Sequence, residues 1–119
     1  MTNIIVVDDD PGVREAFRYV FDPADYTVTI FPNGTRILDR ECAIPDMYIL
    51  DKQLAGVDGL EICRFLKESE ETKHIPVILI SASPNIDRLA ASAGADAVME
   101  KPFEISALRK MVYYYTHTV

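Results

Sequence analysis

Four short apolar runs recur along the chain, and they predict β-strands that are buried on both faces of a sheet. The runs are rich in Ile, Val, Leu and Met, a composition typical of strands inside a parallel sheet. A fifth segment alternates apolar Val28 and Ile30 with polar Thr27 and Thr29, as a half-exposed strand at a sheet edge does. The predicted strands lie at residues 4–7, 26–31, 47–50, 77–80 and 97–99.

Between the strands, apolar residues recur with helical spacing, which predicts five helices. We expect apolar positions such as Ala16, Leu89 and Ile105 to face the sheet. The fourth helix is predicted to begin with Ser83 as its N-cap and Pro84 in its first turn. The predicted helices lie at residues 12–21, around 37–38, at 59–68, from 84 to 93, and from about 104 onward.

This alternation of strands and helices predicts an α/β fold with a parallel sheet and helices on both faces. A chain of 119 residues fits a single domain, and its hydrophobic content of 49% is enough for one core.

The chain is acidic, with a formal net charge of −7 at pH 7. This balance argues against direct binding to nucleic acid or to an anionic membrane, and it favours proteins as partners. Cys42 and Cys63 have no metal-ligand spacing, and we find no secretion signal or membrane-spanning run. We therefore expect a cytoplasmic protein.

Polar residues follow the buried strands directly. Acids occupy positions 8–10 after the first strand, Asp51 follows the third, Ser81 the fourth, and Lys101 lies just beyond the fifth. One such Asp could equally be a helix cap or a turn residue. Four polar strand ends favour a site, because open parallel sheets place their sites at the carboxyl ends of their strands.

These residue types suit phosphoryl transfer. Carboxylates and a backbone carbonyl are the hard oxygen ligands that Mg²⁺ takes. An ammonium and a hydroxyl suit the oxygens of a phosphoryl group. A carboxylate can itself be the nucleophile, while metal and ammonium neutralise the charge of the transferring group.

The chain resembles the receiver domains of two-component response regulators, the CheY-like superfamily, over its whole length. The matching segments are VVDDDP at 6–11, ILD at 49–51 with VDG at 57–59, IPVILISA at 75–82 and GADAVMEKPF at 94–103. The resemblance implies a flavodoxin-like receiver fold with strand order 2-1-3-4-5. It also implies one receiver domain over residues 1–119 with no output domain, and no enzymatic activity beyond its own phosphorylation and dephosphorylation.

The resemblance further implies that Asp51 accepts a phosphoryl group from a histidine kinase or a histidine phosphotransfer protein. Lys101 would contact the phosphoryl oxygens, Ser81 would bond one of them after the switch, and the Lys101-Pro102 peptide would be cis. Asp10 would be a solvated helix cap. The implied Mg²⁺ ligands are Asp8, Asp9, Asp51 and the backbone carbonyl of Gln53.

Three residues depart from the family pattern. Ala55 replaces the usual proline in the loop after the phosphoacceptor, Val98 replaces the aromatic ring that commonly switches, and Ser81 replaces the commoner Thr. The signal is expected to leave through the fourth helix, fifth strand and fifth helix, toward a downstream protein or a second copy.

Two other functions remain open. A phosphatase of the haloacid dehalogenase class would use an Asp-x-Asp motif such as residues 8–10, but it needs a later acidic pair where this chain has only Glu104. An interaction module that is never phosphorylated is left open by Ala55 and Val98. A flavodoxin-type cofactor site is excluded, because the acids at 8–10 would repel a phosphate.

Overall fold

A computed structural model describes residues 1–54, 56–83 and 86–117, in which five strands alternate with five helices. The strands are β1 Thr2–Val7, β2 Tyr26–Phe31, β3 Met47–Asp51, β4 Val77–Ser81 and β5 Ala97–Glu100. The helices are α1 Pro11–Val20, α2 Thr35–Leu38, α3 Gly59–Glu68, α4 Asp87–Ala93 and α5 Ile105–Thr116.

The strands form one parallel sheet in the order β2-β1-β3-β4-β5. This confirms the predicted sheet and its order. β2 lies at one edge, and its alternating half-buried and exposed residues match its predicted place there. Because all strands run the same way, their carboxyl ends meet along one side of the sheet.

Two apolar layers hold the helices against the sheet. Ile5 and Val7 of β1 face the layer that contains α2, α3 and α4. Ile4 and Val6 face the opposite layer, which contains α1 and α5. Successive residues of a strand point to opposite faces, so β1 contributes to both layers and the predicted helices on both faces are confirmed.

Helix ends next to the site are fixed by local hydrogen bonds. Asp10 caps α1 and accepts hydrogen bonds from the amides of Gly12, at 2.8 Å, and Val13, at 3.4 Å. Asp58 caps α3 by accepting the Leu60 amide at 2.7 Å. Asp10 is therefore a helix cap, as the sequence indicated.

Some helix predictions were wrong. Ala16 is exposed, and Leu89 and Ile105 are each 47% exposed. Ile105 is the first residue of α5, and the buried apolar residues at α4 are Ala90, Ala93 and Ile86, which directly precedes the helix. α4 begins at Asp87 rather than after Ser83, and Pro84 lies outside the described residues. Among the described residues, no helix combines the length and hydropathy needed to cross a membrane.

Lys67 joins the end of α3 to the starts of β4 and β5. Its ammonium donates to the carbonyls of Ile75, at 2.8 Å, and Lys73, at 3.3 Å, and lies 2.7 Å from Asp96 Oδ2. The same Asp96 oxygen accepts the Val77 amide at 2.8 Å. One partly buried ammonium thus ties together three segments at the amino-terminal end of the sheet.

We expect Lys67→Met to lower the free energy of unfolding by about 1.5–3 kcal/mol, because charge-assisted hydrogen bonds are lost while the apolar stem is kept. Lys73→Met is the matched control. Its ion pair with Glu70 joins largely exposed side chains and should contribute at most about 1 kcal/mol. Urea unfolding measures both variants, and equal losses would contradict the role given to Lys67.

Candidate functional site

Three carboxylates meet at the carboxyl ends of β1 and β3. Val7 pairs with Leu50 in the sheet, which brings the next residues, Asp8 and Asp51, side by side. Oxygens of Asp8, Asp9 and Asp51 all lie within 4.8 Å of one another. Asp8 and Asp51 are only 1% and 6% exposed, whereas Asp9 faces solvent. The parallel register therefore brings Asp8 and Asp51 together, and with Asp9 they form a group of oxygens that could hold a metal ion.

One oxygen of Asp8 is contacted only by an ion pair with Lys101, at 3.5 Å. Asp8 Oδ1 accepts the Asp10 amide at 2.9 Å, but the buried Oδ2 accepts no hydrogen bond from the described residues. Burial raises the pKa of Asp8, and the charge of Asp51 raises it further, while the Asp10 amide and the Lys101 ammonium act in the opposite direction. Because this ion pair is long, a metal cation could compensate the charge of the buried oxygen more fully.

Lys101 supplies an ammonium from the end of β5. Its Nζ donates to Asp51 Oδ2 at 3.3 Å and lies 3.5 Å from Asp8 Oδ2. Its own amide donates to the carbonyl of Ser81 at 2.8 Å, which fixes the chain beside β4. As the resemblance implied, the peptide bond between Lys101 and Pro102 is cis.

Hydrogen bonds and an ion pair connect Asp51 and Lys52 to residues that follow them in the chain. The Gln53 amide donates to Asp51 Oδ1 at 3.3 Å, and the Gly59 amide donates to the Lys52 carbonyl at 3.0 Å. Lys52 Nζ lies 3.4 Å from Asp58 Oδ2. Both oxygens of Asp51 are thus engaged, one by a backbone amide and the other by Lys101.

Gly59 is a functional position that the sequence reasoning missed. A Cβ at this residue would collide with the Asp51 carbonyl oxygen and would lie 2.9 Å from both its carbonyl carbon and Lys52 Cα. The start of α3 therefore packs directly on the backbone of Asp51. The sequence does contain this glycine in the VDG motif at 57–59, but the motif by itself does not show that a side chain is excluded there.

The side chains of Ser81 and Gln53 contact Ser83 rather than the carboxylates or Lys101. Ser81 is fully buried, and its Oγ accepts the Ser83 amide at 3.0 Å. The exposed Gln53 side chain reaches Ser83 Oγ at 3.5 Å. Val98 is half-buried and packs against the layer that contains α4, while Ala55 lies outside the described residues. The structure thus joins Asp8, Asp51 and Lys101 directly, with Asp9 beside them.

Comparison with known proteins gives a consistent picture. The family model of the response regulator receiver domain matches residues 4–113. Response regulator ArlR of Staphylococcus epidermidis is 38% identical over 111 residues, which are 91% of this chain and 49% of that protein. The chain spans about half the length of the curated relatives it matches.

Two solved structures show the same architecture. Response regulator TrrA from Thermotoga maritima, in complex with Mg²⁺ and BeF, is 28% identical with a TM-score of 0.84, over 97% of this chain and 99% of that chain. A receiver domain of a sensor histidine kinase from Pseudomonas aeruginosa has a magnesium ion coordinated in its active site cleft. It is 21% identical with a TM-score of 0.87, over 98% of each chain, and supports the fold alone.

Proposed function

This chain belongs to the response regulator receiver domain family, and from that premise we propose that it accepts a phosphoryl group on Asp51. Domains of this family act in two-component signal transduction and are generally not classical enzymes. The donor is the phosphohistidine of a histidine kinase or of a histidine phosphotransfer protein, and the setting is the cytoplasm. The observation that carries the proposal is the 3.3 Å contact between Lys101 Nζ and Asp51 Oδ2, with two further carboxylates beside it.

The chain's own residues account for most of the transfer step. An Asp51 oxygen forms the new bond to phosphorus as the bond to the histidine nitrogen breaks, and that nitrogen then takes a proton from solvent. The Gln53 amide and Lys101 hold the two Asp51 oxygens in place before the reaction. The Lys101 ammonium then compensates negative charge on the phosphoryl oxygens, where a fixed cation is most effective.

The acidic cluster fits Mg²⁺. Its oxygen ligands are of the kind that this cation prefers, and the buried Asp8 Oδ2 has only the long contact of 3.5 Å with the Lys101 ammonium to compensate its charge. Asp8, Asp9 and Asp51 would hold the ion, with the Gln53 carbonyl as a further ligand. When bound, Mg²⁺ neutralises charge on the transferring phosphoryl group.

The proposed output begins at Ser81. Its hydroxyl leaves the Ser83 amide and donates to a phosphoryl oxygen, which alters the segment that leads to α4. Among the described residues, only Ala90 and Ala93 of α4 and the preceding Ile86 are buried in this apolar layer, so the helix is weakly anchored. Val98 has no ring to rotate, so the coupling runs through α4. The receiving surface is α4, β5 and α5, which contacts a downstream protein or a second copy.

Incubation with acetyl phosphate tests the function directly. We expect the intact protein to gain the mass of one phosphoryl group in the presence of Mg²⁺ and none in EDTA, because the clustered carboxylates otherwise repel the donor. Intact mass spectrometry follows the gain. Equal gain with and without divalent metal would contradict the proposed metal site.

The same experiment separates the rival functions. A phosphatase would release inorganic phosphate with repeated turnover, and a phosphorylation-independent module would neither gain mass nor release phosphate. The phosphatase is disfavoured by Glu104, since the acid after Lys101 is the exposed residue that precedes α5 rather than part of the cluster.

A further inference from the structure

An open trough, apolar at one end and mixed in character at the other, lies between the end of α1, the start of β2 and α5. Its apolar part is a cavity of about 440 Å³. A second cavity of about 590 Å³ extends it and shares Tyr26 and Tyr113 with the first. We name both together the α1–α5 trough. The first cavity is lined by Val20, Phe21, Asp22, Tyr26, Arg109, Lys110 and Tyr113.

The trough is at the opposite end of the sheet from Asp51. Tyr26 pairs with Thr2, so both strands begin beside the trough, whereas Asp51 ends its strand. A partner bound in the trough therefore leaves the phosphoryl site accessible.

The trough combines a buried apolar floor with an exposed aromatic rim. Val20 and Phe21 are almost fully buried, and the Phe21 ring lies 5.1 Å from the Tyr26 ring. Tyr113 is 60% exposed and stacks on His117. Tyrosine and arginine are both enriched in protein interfaces, where they surround apolar pockets.

The charge of the rim indicates the chemistry of the partner. Within the described part of the chain, seven lysines and arginines form ion pairs and five do not, and Arg109 and Lys110 are the two of those five that line the trough. Arg109 Nε donates to the Val20 carbonyl at 2.6 Å, which fixes the guanidinium at the end of α1. The carboxylate of Asp22, on the same lining, already accepts the Ala24 amide at 2.9 Å. Cations therefore outnumber the single acid on the lining of the first cavity, although Asp25 lines the second, on a chain of net charge −7.

We propose that the α1–α5 trough binds an acidic segment of a partner protein. An apolar side chain of that segment fills the first cavity, and flanking carboxylates pair with Arg109 and Lys110. The second cavity lengthens the trough beyond what one compact small molecule would occupy, which favours an extended segment. A second copy of this acidic chain would be opposed by net repulsion.

Nuclear magnetic resonance titration of the ¹⁵N-labelled protein tests the proposal with three blocked hexapeptides. Their sequences are Glu-Glu-Leu-Phe-Glu-Glu, its all-Gln counterpart Gln-Gln-Leu-Phe-Gln-Gln, and Glu-Glu-Ala-Ala-Glu-Glu. We expect the first peptide to shift the amides of residues 20–26 and 109–113, and to bind about tenfold more tightly than either other peptide. Lys110→Gln should weaken it several-fold, while Arg88→Gln, which removes a cation on α4, should not.

Several results would overturn the proposal. If the Gln peptide bound equally well, or if Lys110→Gln had no effect, charge would not be the basis of binding. If the shifts were confined to other residues, the peptide would bind outside the trough. If 3-phenylpropionate caused the same shifts and the acidic peptide could not displace it, the cavity would be a small-molecule site instead. Loss of peptide binding when beryllofluoride and Mg²⁺ occupy the acidic cluster would refute independence from Asp51, whereas equal affinity would support it.

Discussion

The Asp51→Asn protein is expected to gain no phosphoryl mass from acetyl phosphate and Mg²⁺, under conditions in which the unaltered protein gains one group. An amide keeps the shape of the side chain but is not a nucleophile for phosphorus. Asp8 and Asp9 remain beside it, but in the proposed site they would hold the metal, so we do not expect either to replace Asp51 as the nucleophile. The expected loss is complete rather than partial, which makes this the largest effect among our predictions.

Asp39→Asn provides the control, because it removes an exposed acid that follows α2 and should leave the mass gain unchanged. Circular dichroism of each variant checks that the fold persists. Retention of the phosphoryl mass in the Asp51→Asn variant, or peptide mapping that locates the group on Asp8 or Asp9, would show that the acceptor is misassigned.

We expect Gly59→Ala to lower the free energy of unfolding by about 1–3 kcal/mol, the usual cost of forcing an extra methyl group into a packed site. The new methyl group would meet the backbone carbonyl of Asp51, and backbone atoms cannot rotate aside as a flexible side chain can. Either α3 must move away or the Asp51 carbonyl must shift, so phosphorylation by acetyl phosphate should slow as well. Urea unfolding and the rate of mass gain measure the two effects.

Gly12→Ala is the matched control for this substitution. A Cβ at Gly12 would lie 3.3 Å from Asp10 Oδ1, at the end of a side chain that can shift slightly. Because alanine is the better helix former, stability should stay the same or rise. If both variants lost the same stability, the close approach of α3 to Asp51 would not be the cause.

The sheet and the acidic cluster were predictable because both depend on short-range patterns. Four-residue apolar runs separated by helical segments are typical of strands covered on both faces, and a parallel sheet necessarily brings its carboxyl ends together. Asp8, Asp51 and Lys101 each come directly after such a run or within two residues of it, so the strand ends alone placed them in contact.

Other features depend on how elements fit against each other, which periodicity does not encode. Leu89 has helical spacing suited to the core. However, the seven-residue α4 packs through its alanines and through Ile86, the residue before it, and Leu89 is left exposed. Gly59 is needed because α3 begins directly against the backbone at the end of β3, a distance that the sequence pattern does not encode. The Lys67 network likewise joins segments far apart in the sequence, and nothing in the local pattern marks that lysine as different from Lys73.

The hydrogen bond from the Ser83 amide to Ser81 Oγ also has a thermodynamic consequence. In the switch proposed above, the receiver exchanges between a resting and an activated conformer, and this bond would be present only in the resting one. A bond of about 1 kcal/mol lowers the population of the activated conformer roughly fivefold before any phosphoryl group arrives. Replacing the serine hydroxyl would therefore alter the basal output as well as the response, because the same atom stabilises the conformer that phosphorylation must depopulate.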